Sequence, residues 1–393
     1  MSAQPLPLEG MLVLDFSQFL AGPMAAMRLG DLGARVIKIE RPQGGDIGRR
    51  LAFAGVVEDG DTLSFHITNR NKESFAADLK DAADRDEVHS LLRSADVVIH
   101  NFRPGVMERL GCDYDSVINI NPHVVYGEIT GYGNTGPWRH KPGQDLLVQA
   151  LSGLPWLSGN AEDPPMPFGL AVADLFTGAH LVQGILACLV RKGVTGRGGR
   201  VEVSLMESIL DFQFEVLTTH LNDGGKLPQR SAINNAHAYL GAPYGLYTTA
   251  DGYLALAMGS IARLGELLEC SELTVYRAPE CLFERRDEIK KVLADHLKAR
   301  TTGYWLAILE PADVWCADVL TMQSLMEHEG FKTLDMVQEV TRPGCEPMRT
   351  LRCPLRVDGQ LLKSDKGAPR LGADTETIRR EFLLYAQEGE VSA

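Results

Sequence analysis

Met11-Leu12-Val13-Leu14-Asp15-Phe16, followed by Ala21-Gly22-Pro23 and an Ala-, Met- and Leu-rich stretch to Leu32, leads into Gly33-Ala34-Arg35-Val36-Ile37-Lys38-Ile39-Glu40. The two outer runs are short, bulky and apolar, as a strand buried on both faces must be. The segment between them has helical composition, and Gly33 suits a helix C-terminus. This is a β-α-β unit, and the same alternation continues. Residues 74–79, 95–100 and 124–129 read as further strands, with a charged amphipathic helix over 81–93 between the first two. Strands alternating with helices predict an α/β fold with a mainly parallel sheet covered on both faces. Ligands of such sheets sit beyond the carboxyl ends of the strands.

The loops in that position are Phe19-Leu20-Ala21-Gly22-Pro23, Arg41-Pro42, Asn101-Phe102-Arg103-Pro104-Gly105 and Thr130-Gly131-Tyr132-Gly133. They bring Arg41, Arg103 and Arg109 onto neighbouring loops or turns. Guanidinium groups match phosphate oxygens, so three together point to a phosphorylated ligand. The plainer alternative pairs each with an adjacent acid such as Glu40 or Glu108. Gly131-Tyr132-Gly133-Asn134-Thr135-Gly136 has the dinucleotide spacing, but Pro137 follows and no helix opens at the third glycine, so it is read as a turn. Thr195-Gly196-Arg197-Gly198-Gly199-Arg200 lacks the Lys-Ser/Thr ending of a phosphate loop and leads into a strand at 201–205.

One acid interrupts an apolar stretch at Phe168-Gly169-Leu170-Ala171-Val172-Ala173-Asp174-Leu175-Phe176-Thr177-Gly178-Ala179-His180. Helical spacing of apolar residues follows it, so Asp174 lies at or just before a helix start. Two readings stand: an N-cap, or a nucleophilic carboxylate in an apolar pocket, kept ionised by the helix start.

The 393 residues exceed one ordinary core and fit two domains. The net charge of −13 argues against a nucleic-acid or anionic-membrane surface. Seven scattered cysteines without a Cys-x-x-Cys pair favour a reducing compartment and argue against a structural zinc site. Residues 1–9 are not a signal peptide, and the apolar run at 181–190 is too short to span a bilayer, so a cytoplasmic protein is expected. A polar stretch at 222–228 marks the exit from the first domain. Beyond it, Pro243 to Ala257 reads as a hairpin around Asp251-Gly252, with helices at 285–298 and 304–309. The tail after Val319 has no core of its own and is expected to pack back on the first domain. The expected division is 1–221 with 326–393 as the large domain and 222–325 as a smaller α+β domain.

In order along the chain, the sequence resembles the class III coenzyme A-transferase family. The resemblance rests on Asp15-Phe16-Ser17 with Ala21-Gly22-Pro23, on Leu32 to Pro42, and on Asn69-Arg70-Asn71-Lys72. It continues through Asn101 to Gly105, Gly131-Tyr132-Gly133, Thr195 to Gly198, and Ala368-Pro369-Arg370-Leu371-Gly372. It implies a Rossmann-like large domain and a smaller α+β domain in an interlocked, ring-like homodimer. Asp174 falls at the family's nucleophile. Arg41, Lys80, Asn101, Phe102, Arg109 and Tyr132 fall where the family holds coenzyme A, and Leu20 and Ala21 at the edge of the thioester. The implied substrates are an acyl-CoA and a small carboxylic acid, with no metal or redox cofactor. Leu20 stands where formyl-CoA:oxalate transferases carry Gln, and only Gly224-Gly225 answers their glycine run, which disfavours oxalate. The sequence around Asn69–Lys72 and Ile129–Gly133 looks closest to the succinyl-CoA-dependent branch, with His180, Arg139 and Asn234-Asn235-Ala236-His237 as candidates to meet a second carboxylate. The alternative enzyme class is an α-methylacyl-CoA racemase, whose second base is a histidine. Here that place is Gln144, which does not titrate near neutral pH. A non-catalytic CoA-binding protein is the third reading, opposed by the intact Asp174.

Overall fold

A computed structural model describes residues 5–51 and 53–389. Two compact units divide the chain: Met1–Val148 with Ala171–Ile209 and Leu334–Ala393, and Gln149–Leu170 with Leu210–Thr333.

The first unit is built on six strands: β1 (Leu12–Asp15), β2 (Arg35–Glu40), β3 (Glu73–Ala76), β4 (Val97–His100), β5 (Val125–Thr130) and β6 (Gly199–Ser204). All pair in parallel, in the order β3-β2-β1-β4-β5-β6. The order reverses between β1 and β4, which is where a doubly wound sheet opens its crevice. β1 and β4 are buried at every position, explaining why they read as unbroken apolar runs. Four helices matter for the site: α1 (Ala21–Asp31), α2 (Ala82–Ser94), α3 (Val106–Leu110) and α4 (Val172–Thr195). Asp81 caps α2 by accepting from the N–H groups of Ala83 and Asp84. On one side of the sheet Leu14, Ile37, Phe75, Val98 and Tyr126 form a continuous core with Leu91 and Val117.

α4 is longer than its apolar run. Its 24 residues are long and apolar enough to cross a bilayer, so the length argument made from the sequence does not hold for the whole helix. Leu181, Ile185 and Leu189 are buried, and the first two lie against Gly127 of β5. The helix ends at Gly196 in the left-handed conformation, and Gly198 then passes so close to Val124 that a Cβ would lie 2.0 Å from the Val124 carbonyl oxygen. The glycine-rich segment is thus a turn into β6.

The second unit holds an antiparallel sheet of β7 (Gly245–Thr248), β8 (Tyr253–Leu256) and β9 (Cys316–Asp318), with β8 in the middle. The hairpin stands where Asp251-Gly252 forecast it. Helices α5 (Arg286–Leu297) and α6 (Thr302–Leu309) pack Leu293, Leu297 and Trp305 onto Tyr247 and Leu254. Residues 149–170 belong to this unit, and its boundaries fall at 209/210 and 333/334, where the sequence reading had 221/222 and 325/326. Part of the reason is Arg230, which donates to the carbonyls of Ser158 and Asp163, both at 2.6 Å. Ties across about 70 residues leave no local signal.

From Leu334 the tail returns to the first unit. It forms the hairpin β10 (Val337–Val340) and β11 (Met348–Leu351) and ends in α7 (Thr375–Gly389). Asp374 accepts the N–H of Ser74 and Thr375 Oγ1 that of Ala76, so the tail satisfies the open edge of β3. Ile378 joins the core. Buried Arg342 donates to Asp59 and Asp61, both at 2.8 Å, and Arg49 joins Asp61 to Glu40. The carbonyls of Ala368 and Pro369 accept from Arg342 and Arg49.

Candidate active site

Asp174 is the third residue of α4, one turn before Gly178 on the same face. A Cβ on Gly178 would lie 2.8 Å from the Ala21 carbonyl oxygen and 2.4 Å from Met24 Cε. Gly178 therefore lets α4 sit against the start of α1, at Ala21 and Met24. The N-cap position is Ala171, with no side-chain cap, so the cap reading of Asp174 is corrected. The acceptor comes from elsewhere: Asp145 Oδ2 takes the backbone N–H of Asp174 at 3.1 Å. Burial, and after it the charge of Asp145, pushes the Asp174 carboxyl up to about 7. Desolvation and the neighbouring acid thus work against ionisation, opposite in direction to the partial positive charge of the helix start on which the sequence reading rested.

A cleft of ≈ 690 Å³ opens at the carboxyl ends of β1, β2 and β3. Among the residues lining it are Ser17, Gln18, Arg41, Lys80, Phe102 and Arg109. Three of the proposed phosphate cations thus share one cavity. Arg41 is exposed, and among the described residues its guanidinium donates to the Gly45 carbonyl alone, at 3.3 Å. Glu40, its expected partner, is bound instead by Arg49 at 2.7 Å. Lys80 and Arg109 are exposed and make no ion pair among the described residues. The pairing alternative therefore fails for Arg41 and Arg109.

The remaining sequence candidates are distributed differently. Asn101 does not line the cleft; its side chain accepts the Gln18 N–H at 2.8 Å and donates to the Gln18 carbonyl at 2.7 Å, joining the loop after β4 to the loop after β1. Arg103 lines a separate polar cavity of ≈ 230 Å³ that includes His100, Glu128, Arg139 and Arg200. There hydrogen bonds from His100, Asn134 and Arg200 overcome burial and hold Glu128 down at about 2. Tyr132 stacks edge-on to Trp138 and donates to the Pro142 carbonyl at 3.2 Å. Gly131 and Gly143 meet backbone to backbone, so the dinucleotide-like segment is a packed turn. His180 Nδ1 lies 3.0 Å from Ser208 Oγ, and its ring packs on Phe176.

Sequence reasoning missed Asp145, whose only signal was its place after Gln144. It also missed the charges beneath the cleft. Lys38 and Lys72 are wholly buried. Lys72 Nζ donates to Asp15, the Pro23 carbonyl and Asn69 at 2.8–2.9 Å. Against the cost of burial, Lys38 and Lys72 hold Asp15 down at about 2.

The sequence matches the family model described as CoA-transferase family III over residues 8–375. The chain belongs to that family. It is an enzyme of CoA transfer. It is 31% identical over 391 residues to mouse succinyl-CoA:glutarate CoA-transferase, covering 98% of this chain and 88% of the relative. It is 33% identical to the acetyl-CoA:oxalate CoA-transferase of Acetobacter aceti, covering 96% of each. A CAIB/BAIF family protein from Brucella suis superposes with a TM-score of 0.83 at 31% identity, covering 96% of this chain and 100% of the other.

Proposed function

We propose that this CoA-transferase moves CoA from an acyl-CoA to a free carboxylic acid through covalent intermediates on Asp174. An Asp174 oxygen attacks the donor carbonyl, the C–S bond breaks, and CoA leaves as thiolate from a mixed anhydride. The thiolate attacks the aspartyl carbon of that anhydride, releasing the donor acid and leaving an aspartyl-CoA thioester. The acceptor carboxylate attacks that thioester to form a second anhydride. CoA thiolate then takes the acceptor's acyl group and frees Asp174. Division into these steps keeps the thioester free energy in covalent form throughout. The observation that carries the reading is Asp174 itself: half-buried, its carboxyl displaced towards neutrality, one turn from the Gly178 contact with Ala21, three residues beyond Gln18 in the lining of a cleft bearing Arg41, Lys80 and Arg109.

In this reading Arg41, Lys80 and Arg109 meet the CoA phosphates, Phe102 lines the cleft, and Leu20 and Ala21 flank the thioester, with Asn101 holding their loop. Arg103 and Tyr132, which do not line this cleft, would meet CoA only outside it. Succinyl-CoA is the proposed donor and a small dicarboxylic acid the acceptor, supported by the name of the mouse relative. The Acetobacter relative keeps oxalate among the acids to be compared. An interlocked homodimer is proposed for the working enzyme. Exposed Leu146, Leu147 and Leu151 on one helix, and Val190 and Val194 on α4, support a covered surface. The free thiols suit the cytoplasm.

The test is a panel of CoA thioesters and free acids followed by mass, with Asp174→Ala beside the parent enzyme. The parent should form a CoA adduct on Asp174, and the variant should keep CoA binding but lose transfer. Substantial transfer by Asp174→Ala would end the covalent reading.

A further inference from the structure

Lys38 projects from β2 into the base of the cleft with its side chain fully buried. Its Nζ donates to the Ser17 carbonyl at 2.7 Å and pairs with Asp46 at 3.0 Å, while Asp15 lies at 3.7 Å. Asp46, also buried, turns the same charge on the next residues: its Oδ1 accepts the N–H of Phe19 at 3.2 Å and that of Gly48 at 2.8 Å. Asp15 accepts the Ser17 N–H at 2.9 Å, and Asn101 takes both backbone groups of Gln18. Three consecutive residues are therefore fastened by side chains from β1, from the loop after β2 and from the loop after β4. The last of them, Phe19, sits at φ +66, a left-handed conformation that non-glycine residues avoid. Its side chain is exposed, so no packing of the ring accounts for the conformation. Immediately after it come Leu20 and Ala21.

Strain of this kind persists only where surrounding contacts enforce it, and such residues concentrate at sites needing a fixed geometry. Resting on the covalent reading above, we infer that Lys38 and Asp46 form a positioning pair. Through the Ser17 carbonyl and the Phe19 amide, the pair fixes the Ser17–Leu20 loop so that Leu20 and Ala21 hold the donor thioester against Asp174. Neither residue exchanges atoms with substrate. Because Asp46 also anchors the Ile47–Arg49 turn, the loops after β1 and β2 move as one piece.

The decisive experiment compares Asp46→Ala and Asp46→Asn in the full chain, using the acyl-CoA and acid that the parent enzyme turns over fastest in the panel. Asp46→Ala should lower kcat at least tenfold and change the Kd for free CoA less than threefold. Amide hydrogen exchange at 17–19 should rise at least tenfold with β1 and β2 unchanged. Asp46→Asn keeps an acceptor for the Phe19 amide and should restore kcat to within a few-fold of the parent. Should Asp46→Ala not fold, Asp46→Glu carries the same measurements, since its longer arm moves the acceptor off that amide. A lower melting temperature with kcat and loop exchange unchanged would overturn the proposal, as would a weaker Kd for CoA with kcat intact. Failure of the underlying chemistry is separately visible, as absence of an Asp174 adduct in the parent enzyme, while the exchange arm still judges the loop.

Discussion

Asp145 accepts the backbone N–H of Asp174 through Oδ2 at 3.1 Å, so the residue that anchors the start of α4 also sets a second negative charge beside the Asp174 carboxyl. Burial raises that carboxyl first and Asp145 raises it further, to about 7. The nucleophile is the ionised form. The acid limb of kcat/KM should therefore rise with pH through about 7 in the parent enzyme. In Asp145→Asn the amide oxygen still accepts the N–H but the charge is gone, and the limb should move to lower pH. An unmoved limb would show that Asp145 does not govern the titration.

The same shift bears on stability. An aspartate whose folded pKa lies above its unfolded value of 3.8 favours the fold below the unfolded pKa, and that contribution is lost as pH rises towards 7. Asp174→Asn, which cannot ionise, should raise the melting temperature at pH 8 by roughly 2–4 °C and leave it nearly unchanged at pH 4. Thermal scans of both proteins at the two pH values check this; equal shifts at both would assign the effect to packing.

Arg41→Ala and Arg109→Ala should each weaken acyl-CoA binding by about 1–3 kcal/mol, the scale of a hydrogen bond to a charged group. A truncated pantetheine thioester, lacking the nucleotide phosphates, should lose less. Calorimetry on full and truncated ligands separates the cases, and equal losses would give these arginines a role in the fold.

Gly178→Ala places a methyl within 3 Å of a backbone carbonyl that cannot yield cheaply. It should cost about 1–3 kcal/mol in urea unfolding and reduce kcat, since separating α1 from α4 parts Ala21 from Asp174. An active, fully stable variant would show that this contact does not set the site.

Arg342→Ala takes one of two arginines from exposed Asp59 and from buried Asp61, and the lost charged hydrogen bond to Asp61 should destabilise the fold by about 1.5–3 kcal/mol. Urea midpoints measure it. A change within 1 kcal/mol would mean that Arg49 and Arg370 suffice for those acids.

The sheet was legible because β1, β2, β4 and β5 are nearly free of solvent and so spell out apolar runs, and because Asp81 and Gly33 punctuate helix ends. Asp174 stood out as a lone acid in an apolar stretch. Lys38, Arg70 and Lys72 were opaque for the opposite reason: charged residues in a strand or loop read as surface, yet each is buried on partners 21–57 residues away. The left-handed Phe19 carries no glycine to announce it. The partnership of Asp145 with Asp174 spans 29 residues and appears only once α4 is folded.

The ion pairs from Arg342 to Asp59 and Asp61 join residues about 280 positions apart. A ribosome making this chain releases β1 to β5 long before Arg342 and the carbonyls of Ala368 and Pro369 exist to close around Arg49. The nascent large unit must wait, with the outer edge of β3 open and Asp61 short of its second arginine, until residues 342–375 have been made. A premature stop before Arg342 would therefore strip partners from the part of the protein synthesised first.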